Sequence, residues 1–263
     1  MRMTRDAPAP PRDRDPWSDL RRLTAARIGL ARSGASLATV PLLEFRLAHA
    51  RARDAVLAPL DHEALRAELA SFSLPVLLVE SAARDRQQYL MRPDLGRQLT
   101  AGAEALLAPH ANDANDLAIV ITEGLSARAV AGHARPVLAG LLPALQAQGW
   151  RLAPLTIVRQ GRVASGDAVA RLLRARMVAI LIGERPGLSA PDSMGIYLTF
   201  APGPQTTDAN RNCISNIRPE GIDYAAAAAK AAHLLGAMRR RQTSGVALKD
   251  DSDRPLIGAP APD

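Results

Sequence analysis

The sequence predicts an α/β protein in which a helical N-terminal lobe leads into a doubly wound, mainly parallel sheet. Three observations carry that expectation. Short Val/Ile-rich apolar runs recur through the second half: LAIVIT (Leu117 to Thr122), LTIV (Leu155 to Val158) and MVAILIG (Met177 to Gly183). Runs of that length and branching suit strands covered on both faces. Helical segments separate the three, and strand–helix–strand–helix–strand order builds parallel sheets. The first seventy or so residues, by contrast, show helical spacing and no strand signal.

In chain order, residues 1–15 mix Pro with Arg and Asp and read as a disordered arm, without the apolar core of a secretory signal. Residues 16–73 form the helical lobe. Leu20 to Leu30 carries helical apolar spacing, which Gly34 ends or interrupts. Pro41 to Leu57 is a second helix, stopped by Pro59, and His62 to Phe72 is a third. Residues 74–248 form the sheet domain, opening with the strand LPVLLVE (Leu74 to Glu80). Asp85 to Leu99 is polar and broken by Pro93 and Gly96, so it reads as irregular chain. Thr100 caps a helix reaching Ala108, and Ser126 to Gln148 is a helix around Pro136. Ser165-Gly166-Asp167 offers an N-cap for a helix to Ala175. Gly195 to Phe200 is a further strand, and Tyr224 to Arg241 a strong helix with cations in its last turn. Residues 249–263 read as a loose tail.

At 263 residues, 48% apolar and 22% charged, the chain suits a soluble globular protein with a real core. No run approaches the roughly 20 apolar residues that span a bilayer. A single cysteine excludes an internal disulfide and fits a reducing, cytoplasmic compartment. The formal charge of +7 invites anionic partners. Yet its arginines are scattered, only Arg239 to Arg241 forms a run, and aromatics are 3% of residues, so nucleic acid is not the expected ligand.

Familiar catalytic patterns are missing. No G-x-G-x-x-G follows a strand, and no G-x-x-x-x-G-K-[ST] appears. The five histidines are far apart in sequence and form no metal-ligand spacing with Cys213. No catalytic residue and no metal site is therefore assigned. What remains is position. Val163 lies in the loop after the strand ending at Val158, Glu184 follows Gly183, and Cys213 lies beyond the Pro202-Gly203-Pro204 turn. In a parallel sheet all three would open on one edge, and ligands bind outside the carboxyl ends of strands. Such an edge suits a large, neutral or weakly charged ligand. Plainer readings stand beside these: a solvated Glu184 paired with Arg185, an inert buried Cys213 thiol, and Val163 as loop packing.

Several segments, taken together, resemble the small (light) subunit family of ethanolamine ammonia-lyase. They are DPWSDLRRLTAARIGLARSG, LLEFRLAHARARDAVLAPLD, YLMRPDLGRQL, LIGERPGL, NRNCISNI and SGVAL, in order from Asp15 to Leu248. The resemblance implies a Rossmann-like C-terminal domain after the helical lobe. It implies an adenosylcobalamin cofactor touched by Val163, Glu184 and Cys213. It implies a large-subunit partner that holds ethanolamine while this chain covers the cofactor. In that family ethanolamine becomes acetaldehyde and ammonia through a radical begun at the cobalt–carbon bond. The chain lacks D-x-H-x-x-G, so no histidine is expected to reach cobalt. Gln205 to Asn212 and the N-terminal arm depart from the family pattern, which leaves open any role of the arm in addressing a bacterial microcompartment. Two alternatives remain: a Rossmann-like module for another small ligand, without its own catalysis, and a basic nucleic-acid binder.

Overall fold

The structure, a computed structural model, describes residues 17–252, so the expected arm lies outside the described residues, as does the tail beyond Ser252. The chain divides into two compact units, at His49 and Ala50.

In the first unit the sequence reading is corrected. Helix α1 is only Ser18–Arg21, and Leu20 to Leu30 is not a helix. Gly29 takes the left-handed φ of +53°, where its Cα hydrogen packs on the Trp17 side chain, and Arg21 Nη1 donates to its carbonyl at 2.6 Å. A left-handed residue closes a turn and ends a helix. Two short antiparallel strands follow, β1 (Arg32–Ser33) and β2 (Ser36–Leu37), turned at Gly34, whose φ is +61°. Helix α2 (Thr39–Leu57) begins in this unit, with Pro41 in its first turn, where a missing N–H costs nothing.

The second unit is built on one six-stranded sheet. Helix α3 (His62–Leu69) starts at Asp61, whose carboxylate accepts from Ala64 N, and runs on as a 3₁₀ turn to Phe72. Strand β3 (Val76–Glu80) follows. Asp85 caps a short helix α4 (Arg86–Met91), which the polar, broken sequence there did not predict. Helix α5 (Ala101–Leu107) has the expected Thr100 cap. Strand β4 (Leu117–Thr122), helix α6 (Ala127–Ala147) and strand β5 (Leu155–Arg159) come next. Helix α7 (Val163–Leu172) and strands β6 (Met177–Gly183), β7 (Met194–Phe200) and β8 (Arg211–Ile217) lead to helix α8 (Tyr224–Arg241).

The strand order is β3-β5-β4-β6-β7-β8. The first four run parallel, while β7 is antiparallel to both β6 and β8. The sheet is thus mainly parallel, in a mixed α/β architecture. Alternation explains why β4 and β6 read as unbroken apolar runs. Leu117, Ile119, Ile121, Ala179 and Leu181 meet the helices α3, α6 and α8 on one face. Ala118, Val120, Val178 and Ile180 meet α5 and α7 on the other. The alanines of α8 let it approach α6 closely: a Cβ on Gly140 would stand 3.1 Å from Ala228 Cβ. The first tail residues are held to α8, with Lys230 on Asp250 and His233 on Asp251, both at 2.8 Å.

Two further readings need correction. Helix α7 starts at Val163 after Arg162, so Ser165, Gly166 and Asp167 are buried inside it rather than capping it. The connection from β6 to β7, residues 184–193, holds no helix, and without a crossover the next strand must reverse. Phe200 therefore pairs with Met177 at the amino end of β6, and the Pro202-Gly203-Pro204 turn lies at the edge opposite Glu184.

Candidate functional site

The chain leaves the carboxyl end of β4 for α6 on one face and that of its neighbour β5 for α7 on the other. Adjacent strands whose connections part in this way leave a crevice beyond their carboxyl ends, where open α/β sheets bind ligands. Beside that crevice the loops after β4 and β6 meet at backbone contact. Leu125 N donates to Gly183 O at 2.9 Å, Gly124 has a φ of +53°, and a Cβ on Gly183 would fall 2.1 Å from Ser126 O. Any side chain at Gly183 would part the loops. Above them opens a cavity of about 430 Å³, whose walls include Tyr89, Leu125, Arg162, Val163, Glu184 and Tyr197.

Val163 and Glu184 thus line one cavity. Val163 is the first residue of α7 rather than a loop residue, since Arg162 supplies the helix entry. Glu184 stands one residue past β6, as expected, and is half-buried. Its Oε2 accepts from Asn216 N at 3.1 Å, and its Oε1 lies over Gly195, 2.9 Å from where a Cβ would stand. The carboxylate is therefore turned onto the end of β8 rather than paired with Arg185. Cys213 is the third residue of β8, not part of a loop at the sheet edge. Its thiol is exposed on the face of β7 and β8 away from α8, opposite Tyr197, which lines the cavity. Burial against the sheet pushes the thiol pKa up despite the Tyr197 hydroxyl bonded to it, and the Glu184 charge adds to the rise. Tyr197 is pushed up to about 12, first by burial and then by Cys213 and Glu184. All three expected residues reach one neighbourhood, but two of them by a different route.

Sequence reasoning missed Tyr89, Arg162 and Tyr197. Tyr89 is fully buried, and the guanidiniums of Arg162 and Arg86 lie over its ring at 4.1 and 4.8 Å. Arg162 Nη2 also donates to Tyr89 O at 3.1 Å. Burial pushes the Tyr89 phenol up to about 12, so it stays a donor. Its hydroxyl, Arg162 Nε and Arg86 Nη2 are buried without a hydrogen-bond partner among the described residues. Such orphans are rare, and all three are closed off from solvent. No motif announces this cluster, because residues 86–89 and 162 meet only in the fold.

Two buried systems hold the walls. Burial works against the Glu123 charge, yet the His62 imidazole at 3.3 Å and Gln160 N at 2.9 Å keep the carboxyl below its usual range. That pair joins α3 to the ends of β4 and β5. Asp167 of α7 grips Arg211 of β8 through two bonds of 2.7 and 2.6 Å, fixing the helix that carries Val163 against the strand that carries Cys213. The loop 184–193 is held from behind. His133 Nε2 lies 2.9 Å from Asp192 O, and since a carbonyl only accepts, this nitrogen donates. Ser126 Oγ donates to Pro191 O at 3.0 Å.

The arrangement offers apolar walls, hydroxyls, one carboxylate and one half-buried guanidinium. Burial and the Glu184 charge leave Cys213 less ionised and outweigh the opposite pull of the Tyr197 hydroxyl, so the thiol is not activated as a nucleophile. Among the described residues no group of three or more His, Cys, Asp or Glu could hold a metal ion, and no helix is long and apolar enough to cross a membrane. The site is built to bind and orient.

The chain is similar over most of its length to one family of proteins. The ethanolamine ammonia-lyase light chain family matches residues 14–249. Among curated relatives, the ethanolamine ammonia-lyase small subunit of Ralstonia nicotianae is 56% identical over 248 residues, covering 93% of this chain and 92% of the relative. The small subunit from Azotobacter vinelandii is 55% identical, covering 92% and 91%. That from Xanthomonas campestris pv. campestris is 54% identical, covering 93% and 91%.

Proposed function

The chain belongs to the ethanolamine ammonia-lyase light chain family, and from that premise we propose that it is the cofactor-covering subunit of an adenosylcobalamin-dependent lyase. A large subunit holds ethanolamine, and the assembly releases acetaldehyde and ammonia. The name small subunit, borne by relatives that match nearly end to end, supports a larger partner. The single observation that carries the cofactor reading is convergence. Val163 and Glu184 line one cavity with Tyr197, and Tyr197 faces Cys213 across the β7–β8 ladder.

The residues present fit the cofactor. Adenosylcobalamin is large, carries a rim of amides, and needs an open face rather than a closed pocket. The outer face of β7 and β8 gives that face, and the half-buried Glu184 carboxylate and Arg162 guanidinium on the cavity wall supply an acceptor and a donor for such amides. When bound, the cofactor supplies radical chemistry through its cobalt–carbon bond, which no side chain here could provide. This chain's residues do the rest. Glu184 Oε1 accepts from an amide N–H of the rim while Oε2 stays on Asn216. Val163 presents its backbone and a small side chain, letting the ligand approach α7. Cys213, protonated near neutral pH, packs as a small polarizable surface and does not attack. Together these groups orient the ligand and exclude water from its covered side. With its crevice between β4 and β5, the sheet is best described as Rossmann-like. The lone cysteine supports a cytoplasmic setting.

The test is reconstitution. The purified chain with adenosylcobalamin should not deaminate ethanolamine. Its complex with the large subunit should do so, and should carry a cobalamin absorbance through gel filtration. Turnover by the isolated chain, or a complex that retains no cobalamin, would overturn the reading.

A further inference from the structure

Two arginines stand on the cavity wall, Arg162 and the exposed Arg185, and Arg162 is the one partly withdrawn from water. It is half-buried, and no carboxylate lies within ion-pair distance of it among the described residues. The nearby carboxylates are committed elsewhere. Glu123 is held by His62 and Gln160 N, and Glu184 by Asn216 N. The second guanidinium over the Tyr89 ring, Arg86, adds charge of the same sign, and its own bonds go to Val56 O, Gly124 O and Gln160 Oε1. Its Nη2, Arg162 Nε and the Tyr89 hydroxyl are all buried without acceptors. Arg162 Nη2 is held by Tyr89 O and Nε is closed off, which leaves Nη1 to meet a ligand. A half-buried guanidinium whose plane is fixed on an aromatic ring in this way is suited to an anionic oxygen. Leaving such a charge unpaired is costly, and an anionic ligand removes the cost.

Resting on the cofactor reading above, we propose that Arg162, seated on Tyr89, binds the phosphodiester of the cofactor's nucleotide loop. The site then sorts the cofactor by parts. Arg162 takes its one anionic group, and Glu184, on the far wall, takes an amide of the rim. This gives Arg162 a specificity role: it favours cobamides that carry the nucleotide loop over those that lack it.

The experiment compares two ligands on the complex of the full chain with its large subunit, by spectral titration. Adenosylcobalamin carries the phosphodiester, and adenosylcobinamide lacks it. For Arg162→Met we expect adenosylcobalamin to bind about 10- to 100-fold more weakly, the loss of one charge-assisted bond, with adenosylcobinamide within about twofold of wild type. Arg240→Met, at an exposed cation on α8 outside the cavity, should shift neither ligand by more than about twofold. Equal weakening of both ligands by Arg162→Met would make Arg162 a packing residue, and no weakening of adenosylcobalamin would remove it from the site. If inorganic phosphate protects wild type but not Arg162→Met while adenosylcobalamin binds both alike, the guanidinium serves free phosphate and the proposal falls. A wild-type complex that binds neither cobamide would instead overturn the cofactor reading itself.

Discussion

Replacing Asp167 by asparagine tests whether the grip between α7 and β8 holds the site together. The side chains of Arg211 and Asp167 are only 3% and 9% exposed, and they share two bonds of 2.7 and 2.6 Å, with Thr199 Oγ1 accepting a third from Arg211 at 3.1 Å. Asparagine keeps the shape and one acceptor but removes the charge. The guanidinium stays buried, and breaking one side of a buried pair costs about 3–5 kcal/mol. Asp208, at 3.5 Å and fully exposed, is screened by water and offsets little. At about 1–3 kcal/mol per molar for urea, the unfolding midpoint should fall by at least 1 M or so. The assay is urea unfolding followed by fluorescence of the buried Trp150, in a Trp17→Phe background. The double variant Asp167→Leu/Arg211→Met removes the stranded charge and should recover about half the loss or more. If Asp167→Asn unfolds within about 0.5 M of wild type, or the double variant is worse than either single one, the reasoning is wrong.

Two more predictions follow from the titrating groups at the site. A thiol pKa raised above its ordinary value means less thiolate at pH 8, so iodoacetamide should label Cys213 at least about threefold more slowly than a free cysteine, as read by mass spectrometry. Labelling at the free-cysteine rate would contradict this. The Glu123 carboxyl, held below its usual range, contributes stability that is present above its unfolded pKa of about 4.3 and is lost as pH falls through the lower folded value. Glu123→Gln should therefore flatten the acid limb of a stability–pH curve, and an unchanged slope would refute the assignment.

Much of the fold was legible because its central strands are covered on both faces. β4 and β6 were read with their observed bounds, and α6, α8 and the Thr100 cap followed from periodicity and capping residues. β8 was not legible. RNCISNI shows one apolar face, Ile214 and Ile217, and an outer face of Cys, Ser and Asn that sequence reads as loop. The reversal at β7 did have a signal: residues 184–193, broken by Pro186 and Pro191, are too short for a helical crossover. Leu20 to Leu30 misled because its apolar spacing serves no core within the chain, with Leu23 83% exposed. At the site, Glu184 was found by its place after a strand. Arg162 and Tyr89 depend on a meeting of distant segments that no local pattern records.

The most direct test of the central claim is a titration of the reconstituted complex with adenosylcobalamin, comparing wild type, Glu184→Ala and Val163→Trp. Glu184 offers one hydrogen bond, worth about 0.5–1.5 kcal/mol net and up to about 3 if its charge counts. Its loss should weaken binding by roughly 2- to 100-fold. Val163→Ala leaves the backbone and widens the wall, and should do little. An indole at the first turn of α7 fills the cavity, so Val163→Trp should cost more than Glu184→Ala. If Glu184→Ala and Val163→Trp both bind the cofactor as wild type does, the cofactor does not sit on this edge of the sheet.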